Sequence, residues 1–464
     1  MNTFVRQFKR QADRMTRDLR HRGLIQTALA KYEIQRDKRK AAFRDWAAAR
    51  QLAAETKWEA INHLDAHLET LVRNLEQRGT RVHWAATAQE ARDIILGIVR
   101  GKNARSIIKS KAMTAEEIEL NEALEHAGYE VVESDLGEFI VQLRHEPPYH
   151  IVFPAMHLTR DEISQLFQRE LGSAPTDNPE ELTRIARRIL RKKYVTADVG
   201  ITGANFAIAE TGMISITENE GNARLTAALP KTMISLLGIE KVLPRLGDLA
   251  LFLPMLATAG TGQAITCYNS LYGGPRLPGE SDGPEEYHVV LLDNGRTRLL
   301  ADAEQRDALH CIRCGACLNV CPIYKNVGGH TYATTYSGPI GSVITPHLRG
   351  LQDWKHLSYA SSLCGACTET CPVKINLHHH LLQNRRNAVR QQSAFFERWI
   401  FKNFVRIMNR PRLYRAVRNT ARFFGRFHRL ILGTRLDPAR AWTRTRDLPP
   451  IAPRTFREYW RDRR

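Results

Sequence analysis

Along residues 1–78, charged side chains interleave with isolated apolar ones, among them Phe4, Phe8, Leu19, Trp46 and Trp58, a patterning that predicts helices and carries no catalytic motif. From about Thr80 the period shortens. Brief apolar runs (VHWAA, SIIKS, EVVES, HIVFPA) alternate with segments of helical period, which predicts α/β layers on a largely parallel sheet. Two of the helices are expected to open with capping boxes, Thr114 with Glu117 and Thr159 with Glu162. Between Val199 and Asn294 the predicted strands crowd together (FAIAE, MISITEN, TMISLLG, QAITCYN, YHVVLLDNG), and the Pro/Gly-rich stretch 273–286 reads as a surface loop. The longest apolar run, LGDLALFLPMLATAG, is too short to cross a bilayer and contains Asp248 and Pro254, so it predicts a buried helix. The pattern divides the chain into a helical segment (1–78), an α/β domain (79–297), a cysteine-rich region (298–384) and a basic C-terminal region (385–464).

Composition adds little to that picture, whereas the placement of charge adds a good deal. At 43% hydrophobic and 25% charged residues the chain reads as globular. Its start, MNTFVRQFKRQADRMTRDLR, lacks the apolar core of a signal peptide and predicts a reducing, cytoplasmic setting. Residues 385–464 hold 22 Lys and Arg against 5 Asp and Glu, nearly the whole of the +19 surplus. Within them Arg398, Lys402 and Arg406, then Arg415, Arg418, Arg422, Arg426 and Arg429, recur every three or four residues, with Phe396, Trp399, Phe404, Val417, Phe424 and Phe427 between. This predicts amphipathic helices that lie on an anionic membrane face, bind an acidic partner, or fold back on the protein itself. No helix-turn-helix signal accompanies them, and no nucleic acid is expected as a partner.

The chemistry is carried by cysteine. Cys311, Cys314, Cys317 and Cys321, followed by Pro322, make the C-x2-C-x2-C-x3-C-P run of bacterial dicluster ferredoxins. A second run supplies Cys364, Cys367 and Cys371 before Pro372, with Ser361 where the first run has Cys311. The ferredoxin crossover assigns Cys311, Cys314, Cys317 and Cys371 to one cluster and Cys321, Cys364 and Cys367 to another. Two 4Fe–4S clusters are the expected cofactors. With seven thiolates, the second is either 3Fe–4S or a 4Fe–4S cluster whose last iron binds water, Ser361, another side chain or a partner. A zinc ribbon would leave Cys317, Cys321 and Cys371 unexplained, and disulfides do not suit a reducing compartment. Cys267, in the expected strand QAITCYN, reads as a buried inert thiol. Clusters move single electrons, so a flavin or comparable two-electron centre is expected upstream, and no G-x-G-x-x-G follows a strand here.

The stretches KSKAMTAEEIELNEALEHAGYEVVESDLGEFIVQL, PYHIVFPAMHLTRDEI and ITGANFAIAETGMISITENEGNARL, ahead of the two cysteine runs, closely resemble the lactate utilisation protein B family, from the basic helical start to the closing APRTFREYW. The resemblance implies a LUD domain layered like sugar-phosphate isomerases and CoA transferases. It also implies an electron-transfer subunit acting with two sister proteins to oxidise L-lactate to pyruvate. The competing expectations are a self-contained oxidoreductase with substrate in the LUD domain, and a cluster-based redox sensor. His378, His379 and His380 depart from the family's usual pattern and read as an exposed first helical turn. In the LUD part, Lys111, Glu138, His157, Asn205, Glu210, Glu218, Asn222 and Arg224 are the candidates for a substrate or docking site. ENEGNARL is foremost, because backbone N–H groups around Gly221 with Arg224 nearby suit a carboxylate.

Overall fold

The computed structural model describes residues 3–393, 395–431, 434, 436, 437, 440–443, 446, 447, 452 and 454–463, without the side chains of 424–430 and 441. Residues 1–388 form one compact unit and 389–464 another. The first unit opens with helices Thr3–Arg17, Leu19–Lys40, Trp46–Asn62 and Leu64–Gln77. Asp18 and Asp45 cap the second and third by accepting the amides of His21 and Ala48. In the fourth, Leu64, Leu68, Leu71 and Leu75 fall on one stripe and are buried in the core beneath the sheets.

Ten strands follow among the described residues: β1 (Arg81–Ala85), β2 (Ser106–Lys109), β3 (Glu130–Glu133), β4 (Val199–Thr202), β5 (Phe206–Ile208), β6 (Met213–Glu218), β7 (Thr232–Gly238), β8 (Val242–Leu243), β9 (Tyr268–Tyr272) and β10 (Glu286–Leu292). Six of them make one sheet in the order β1-β10-β7-β4-β2-β3, and every pairing in it is parallel. The central strand β7 is buried along its whole length, as a parallel sheet covered on both faces requires. A smaller sheet, β8-β5-β6-β9, joins one parallel pair to two antiparallel ones. The predicted α/β layering and largely parallel sheet are therefore present.

Several expected elements differ, each for a local reason. HIVFPA forms no strand: the His150 ring accepts the amides of Val152 at 3.0 Å and Phe153 at 3.3 Å, so a side chain takes donors that a ladder would need. Of QAITCYN only Tyr268 and Asn269 join β9, because Thr266 bonds to Tyr268 O and Asn269 Oδ1 and turns the chain first. Cys267 is consequently exposed, not a buried thiol. The Thr159–Glu162 capping box forms, whereas the Thr114–Glu117 box does not. There the helix starts at Met113 after Ala112, and the Glu117 carboxylate turns inward to bind Arg296.

The apolar run becomes helix Leu249–Thr261, with Phe252, Met255 and Ala259 in the same core as Ile25 and Leu29 of the N-terminal helices and the buried cysteines. The LUD layers and the cysteine region thus share one hydrophobic core. At the close of that helix a Cβ on Gly260 would stand 2.8 Å from the Cys314 carbonyl, so glycine permits the approach of helix to cysteine turn. In the second unit, helices Phe395–Met408 and Pro411–Ile431 expose Phe396, Trp399, Phe404 and Val417. The side chains of Arg426, Arg429, Phe424 and Phe427 lie outside the described residues.

Candidate functional site

The two cysteine runs fold into matching turns. In the first, Arg313 and Gly315 take φ of 60° and 79°; in the second, Leu363 and Gly365 take 55° and 83°. Each pair of left-handed residues bends the chain around a cysteine, Cys314 or Cys364, before a short helix, Ala316–Asn319 or Ala366–Thr370, presents the next. The Cys311 Sγ accepts the Arg313 amide at 3.4 Å, Cys321 Sγ that of Tyr324 at 3.5 Å, and Cys371 Sγ that of Ile375 at 3.4 Å. Amides aimed at sulfur favour the thiolate and ready it for metal.

The sulfurs fall into two groups. Cys311, Cys314, Cys317 and Cys371 line one small cavity with Ile312, Ile340 and Val373. Burial raises the Cys314 thiol pKa, and so do the neighbouring Cys371 and Cys311 sulfurs. Cys371 is pushed up to about 12 by burial and by Cys311. Cys367 belongs elsewhere, pushed up to about 11 by burial and by Cys321 and Cys364. Cys371, from the second run, lines the void with Cys311, Cys314 and Cys317 of the first. No disulfide joins the described cysteines. Four sulfurs converging on one void, two of them (Cys311 and Cys371) accepting backbone amides, fit a metal–sulfur group. Cys364 is exposed, so the second group faces solvent while the first is enclosed.

A buried charge network borders the first group. Arg296 donates to Glu117 Oε1 and Oε2 at 2.9 and 2.8 Å and through Nε to Glu240; Arg313 reaches Glu240 Oε1 at 3.3 Å. Tyr336 completes Glu117 at 2.6 Å, and its ring lies 4.5 Å under the Arg313 guanidinium. Lys57, from the N-terminal helices, donates to Glu240 O at 2.7 Å, and burial lowers its pKa to about 8. Arg313 Nε and Nη1 are buried without a hydrogen bond. Lys241 makes no hydrogen bond or ion pair among the described residues; burial and Arg313 lower it to about 8.

Beside this network opens a cavity of about 540 Å³ whose wall includes Lys111, Asn205, Glu218, Asn222, Lys241, Arg313 and Cys314. It sits at the strand ends of the LUD layers, and Cys314 belongs to both its wall and the thiol-lined void. Glu220, also in the wall, is raised to about 7 by burial and by Asp135.

Residues 68–292 match the LUD domain family, 307–375 the 4Fe-4S dicluster domain, and 376–464 the lactate utilisation protein B C-terminal family. Lactate utilization protein B of Bacillus licheniformis is 44% identical over 450 residues, covering 96% of this chain and 94% of that one. Its counterpart in Bacillus subtilis is 43% identical, covering 95% and 93%. The chain belongs to the lactate utilisation protein B family. A solved DUF162 family protein from Deinococcus radiodurans aligns with 49% of this chain and 98% of its own at 14% identity, but the TM-score is only 0.28. The dicluster match identifies the region of the two thiol groups as an iron–sulfur one.

Within this family member the LUD candidates scatter. Lys111, Asn205, Glu218 and Asn222 line the cavity; Glu138, His157, Glu210 and Arg224 do not. Glu138 is buried by Lys109 and Glu133, its pKa raised by burial and by Glu133. His157 pairs with Glu146 at 2.9 Å, and Glu210 accepts the Leu246 amide at 2.8 Å. The carboxylate site foreseen in ENEGNARL exists but is filled from within: Glu218 takes the Ala223 and Arg224 amides at 2.6 and 2.9 Å, while Arg224 stacks over Tyr268. The histidine turn is only partly exposed, because His380 is buried and pairs with Asp307 at 2.8 Å. Sequence reasoning passed over Lys57, Glu240, Lys241 and Arg296 and read Glu117 only as a capping-box partner, each an ordinary charged residue in its local pattern. Only Arg313, placed between two cysteines, carried a signal that could have found it.

Proposed function

We propose that this protein is the iron–sulfur electron-transfer subunit of a multiprotein system oxidising L-lactate to pyruvate. Two clusters, held by Cys311, Cys314, Cys317 and Cys371 and by Cys321, Cys364 and Cys367, supply one-electron transfer when bound. The observation that carries the reading is the pair of thiol groups on matching turns, one enclosed and one facing solvent. That gradient of exposure suits relay from an inner donor to an outer partner. Arg313, Lys241 and Lys57 place positive charge beside the inner thiolates, where it offsets their burial. The lactate assignment rests on the names of the relatives; in this reading two sister proteins supply the two-electron step. Anaerobic purification with iron and sulfide analysis, followed by lactate-dependent acceptor reduction with and without the sister proteins, tests it. Turnover appears only in the mixture; zinc in place of iron and sulfide overturns the cluster reading.

A second reading is favoured by the shared wall at Cys314: the LUD cavity itself takes a small organic carboxylate, with Lys241 and the free nitrogens of Arg313 as its recognition groups. Binding of lactate or pyruvate to the isolated chain, lost in Lys241→Met, supports it. Failure of both acids to bind leaves the cavity without a substrate role.

A further inference from the structure

The second thiol group has three sulfurs where the first has four, and the turns that build them show what stands at the fourth position. In the first turn the Arg313 amide donates to Cys311 Sγ at 3.4 Å. In the second, the Leu363 amide donates to Ser361 Oγ at 3.1 Å. The flanking φ values repeat within a few degrees, at Arg313 and Leu363 and again at Gly315 and Gly365. The same backbone therefore delivers the same amide to the side-chain atom of the same position, oxygen replacing sulfur. Ser361 is half-buried, beside the exposed Cys364. Among other donors nearby, His378 has its Nδ1 engaged with Thr368 Oγ1 at 2.7 Å.

We infer that Ser361 Oγ is the fourth protein ligand of the cluster held by Cys321, Cys364 and Cys367. The inference rests on the cluster assignment proposed above and adds a residue to it. As the oxygen–iron bond forms, the hydroxyl O–H bond breaks and its proton passes to bulk water, with no change of oxidation state. The amide of Leu363 then donates to an alkoxide, as that of Arg313 donates to a thiolate; a hydrogen bond to a charged acceptor is the stronger kind. The outer centre thus differs from the inner one in a single ligand atom.

The test uses the full chain, anaerobically reconstituted with iron and sulfide, as parent, Ser361→Ala, Ser361→Cys and His378→Ala. Iron and sulfide content and EPR spectra are read in oxidised and reduced states. The parent is expected to carry two four-iron centres. Ser361→Ala is expected to lose one iron and show the oxidised-state signal of a three-iron centre, with the inner centre's spectrum unchanged. Ser361→Cys is expected to keep the full iron content with an altered spectrum of the outer centre alone, which also shows that the turn tolerates substitution. Parent-like iron and EPR in Ser361→Ala would overturn the ligand role and leave the serine as a local turn. So would loss of the iron in His378→Ala in its place, or a parent that already lacks it. Each of those outcomes leaves both clusters standing, whereas zinc without iron or sulfide in the parent would remove the cluster assignment itself.

Discussion

Arg313 donates to the Glu240 carboxylate across 3.3 Å, and this bond ties the first cysteine turn to the edge of the LUD layers. Glu240 follows β7 directly and also receives Arg296, so one buried carboxylate answers two buried guanidinium groups. Removing it leaves both cations without their shared partner, a loss that costs about 3–5 kcal/mol for buried pairs. Glu240→Ala is therefore expected to lower the denaturant midpoint sharply and reduce iron content in the inner centre first. Equilibrium unfolding of the apo chain beside iron analysis of the reconstituted one checks both effects.

The crossover makes a prediction that the order of cysteines along the chain would not. Cys321 belongs to the first run but is expected to serve the outer centre, and Cys371 belongs to the second but serves the inner one. Cys371→Ala should damage the same EPR signal as Cys314→Ala, and Cys321→Ala the same signal as Cys364→Ala. Damage that follows the runs, with Cys321 grouping with Cys314, would disprove the assignment.

Carboxylate binding in the LUD cavity should depend on pH through Glu220. Burial and Asp135 raise its pKa to about 7, so it is neutral below that value and gains a negative charge above it. An anion sharing the cavity is then repelled, and affinity for lactate or pyruvate is expected to fall as pH rises through 7. Glu220→Gln should remove the fall near pH 7 and leave the one near pH 8, where Lys241 loses its charge, and Lys241→Met should weaken binding by about tenfold or more at pH 6, the loss of a charged hydrogen bond. Calorimetric titration from pH 6 to pH 9 is the measurement; equal affinity in Lys241→Met would assign that cation to charge compensation of the cysteines alone.

What could be read from sequence follows a physical divide. Parallel strands are buried on both faces, so β7 and β10 announce themselves as mostly apolar runs, and the cysteine spacing announces its own turns. The stretch at His150 reads as a strand because apolar residues surround the histidine, and no period reveals that its ring takes two amides. The buried network was hidden for a different reason. Lys57, Glu117, Glu240 and Arg296 come from four distant stretches, and a charged residue becomes a core residue only when partners far along the chain meet it. At Glu218 the expected carboxylate site is taken by the protein itself: the amides of Ala223 and Arg224, beside Gly221, donate to its own side chain.

The last expectation concerns residues 392–464. Helix Phe395–Met408 buries none of its residues and exposes Phe395, Phe396, Trp399, Phe401 and Phe404, while Arg398, Lys402 and Arg406 lie among them. Aromatic side chains seek the interfacial zone of a bilayer and each basic residue near an anionic surface adds about 1 kcal/mol. Among the described residues no helix is long and apolar enough to cross a membrane, so binding at the surface is the mode to test. Full-length protein should sediment with vesicles containing phosphatidylserine, and the association should weaken steeply with salt, because exposed charges are screened over about 8 Å at physiological ionic strength. The cut belongs after Gln391. Asn384 is fully buried, donating to Val343 O at 3.0 Å, and Ala388 O accepts from Gln352 at 3.0 Å, so an earlier end would open the core. A chain ending at Gln391 keeps all seven cysteines of the two runs and is expected to retain its iron while losing the vesicles. If it pellets with them as the full chain does, the basic region is not the anchor; if it aggregates or loses iron, those helices serve the fold.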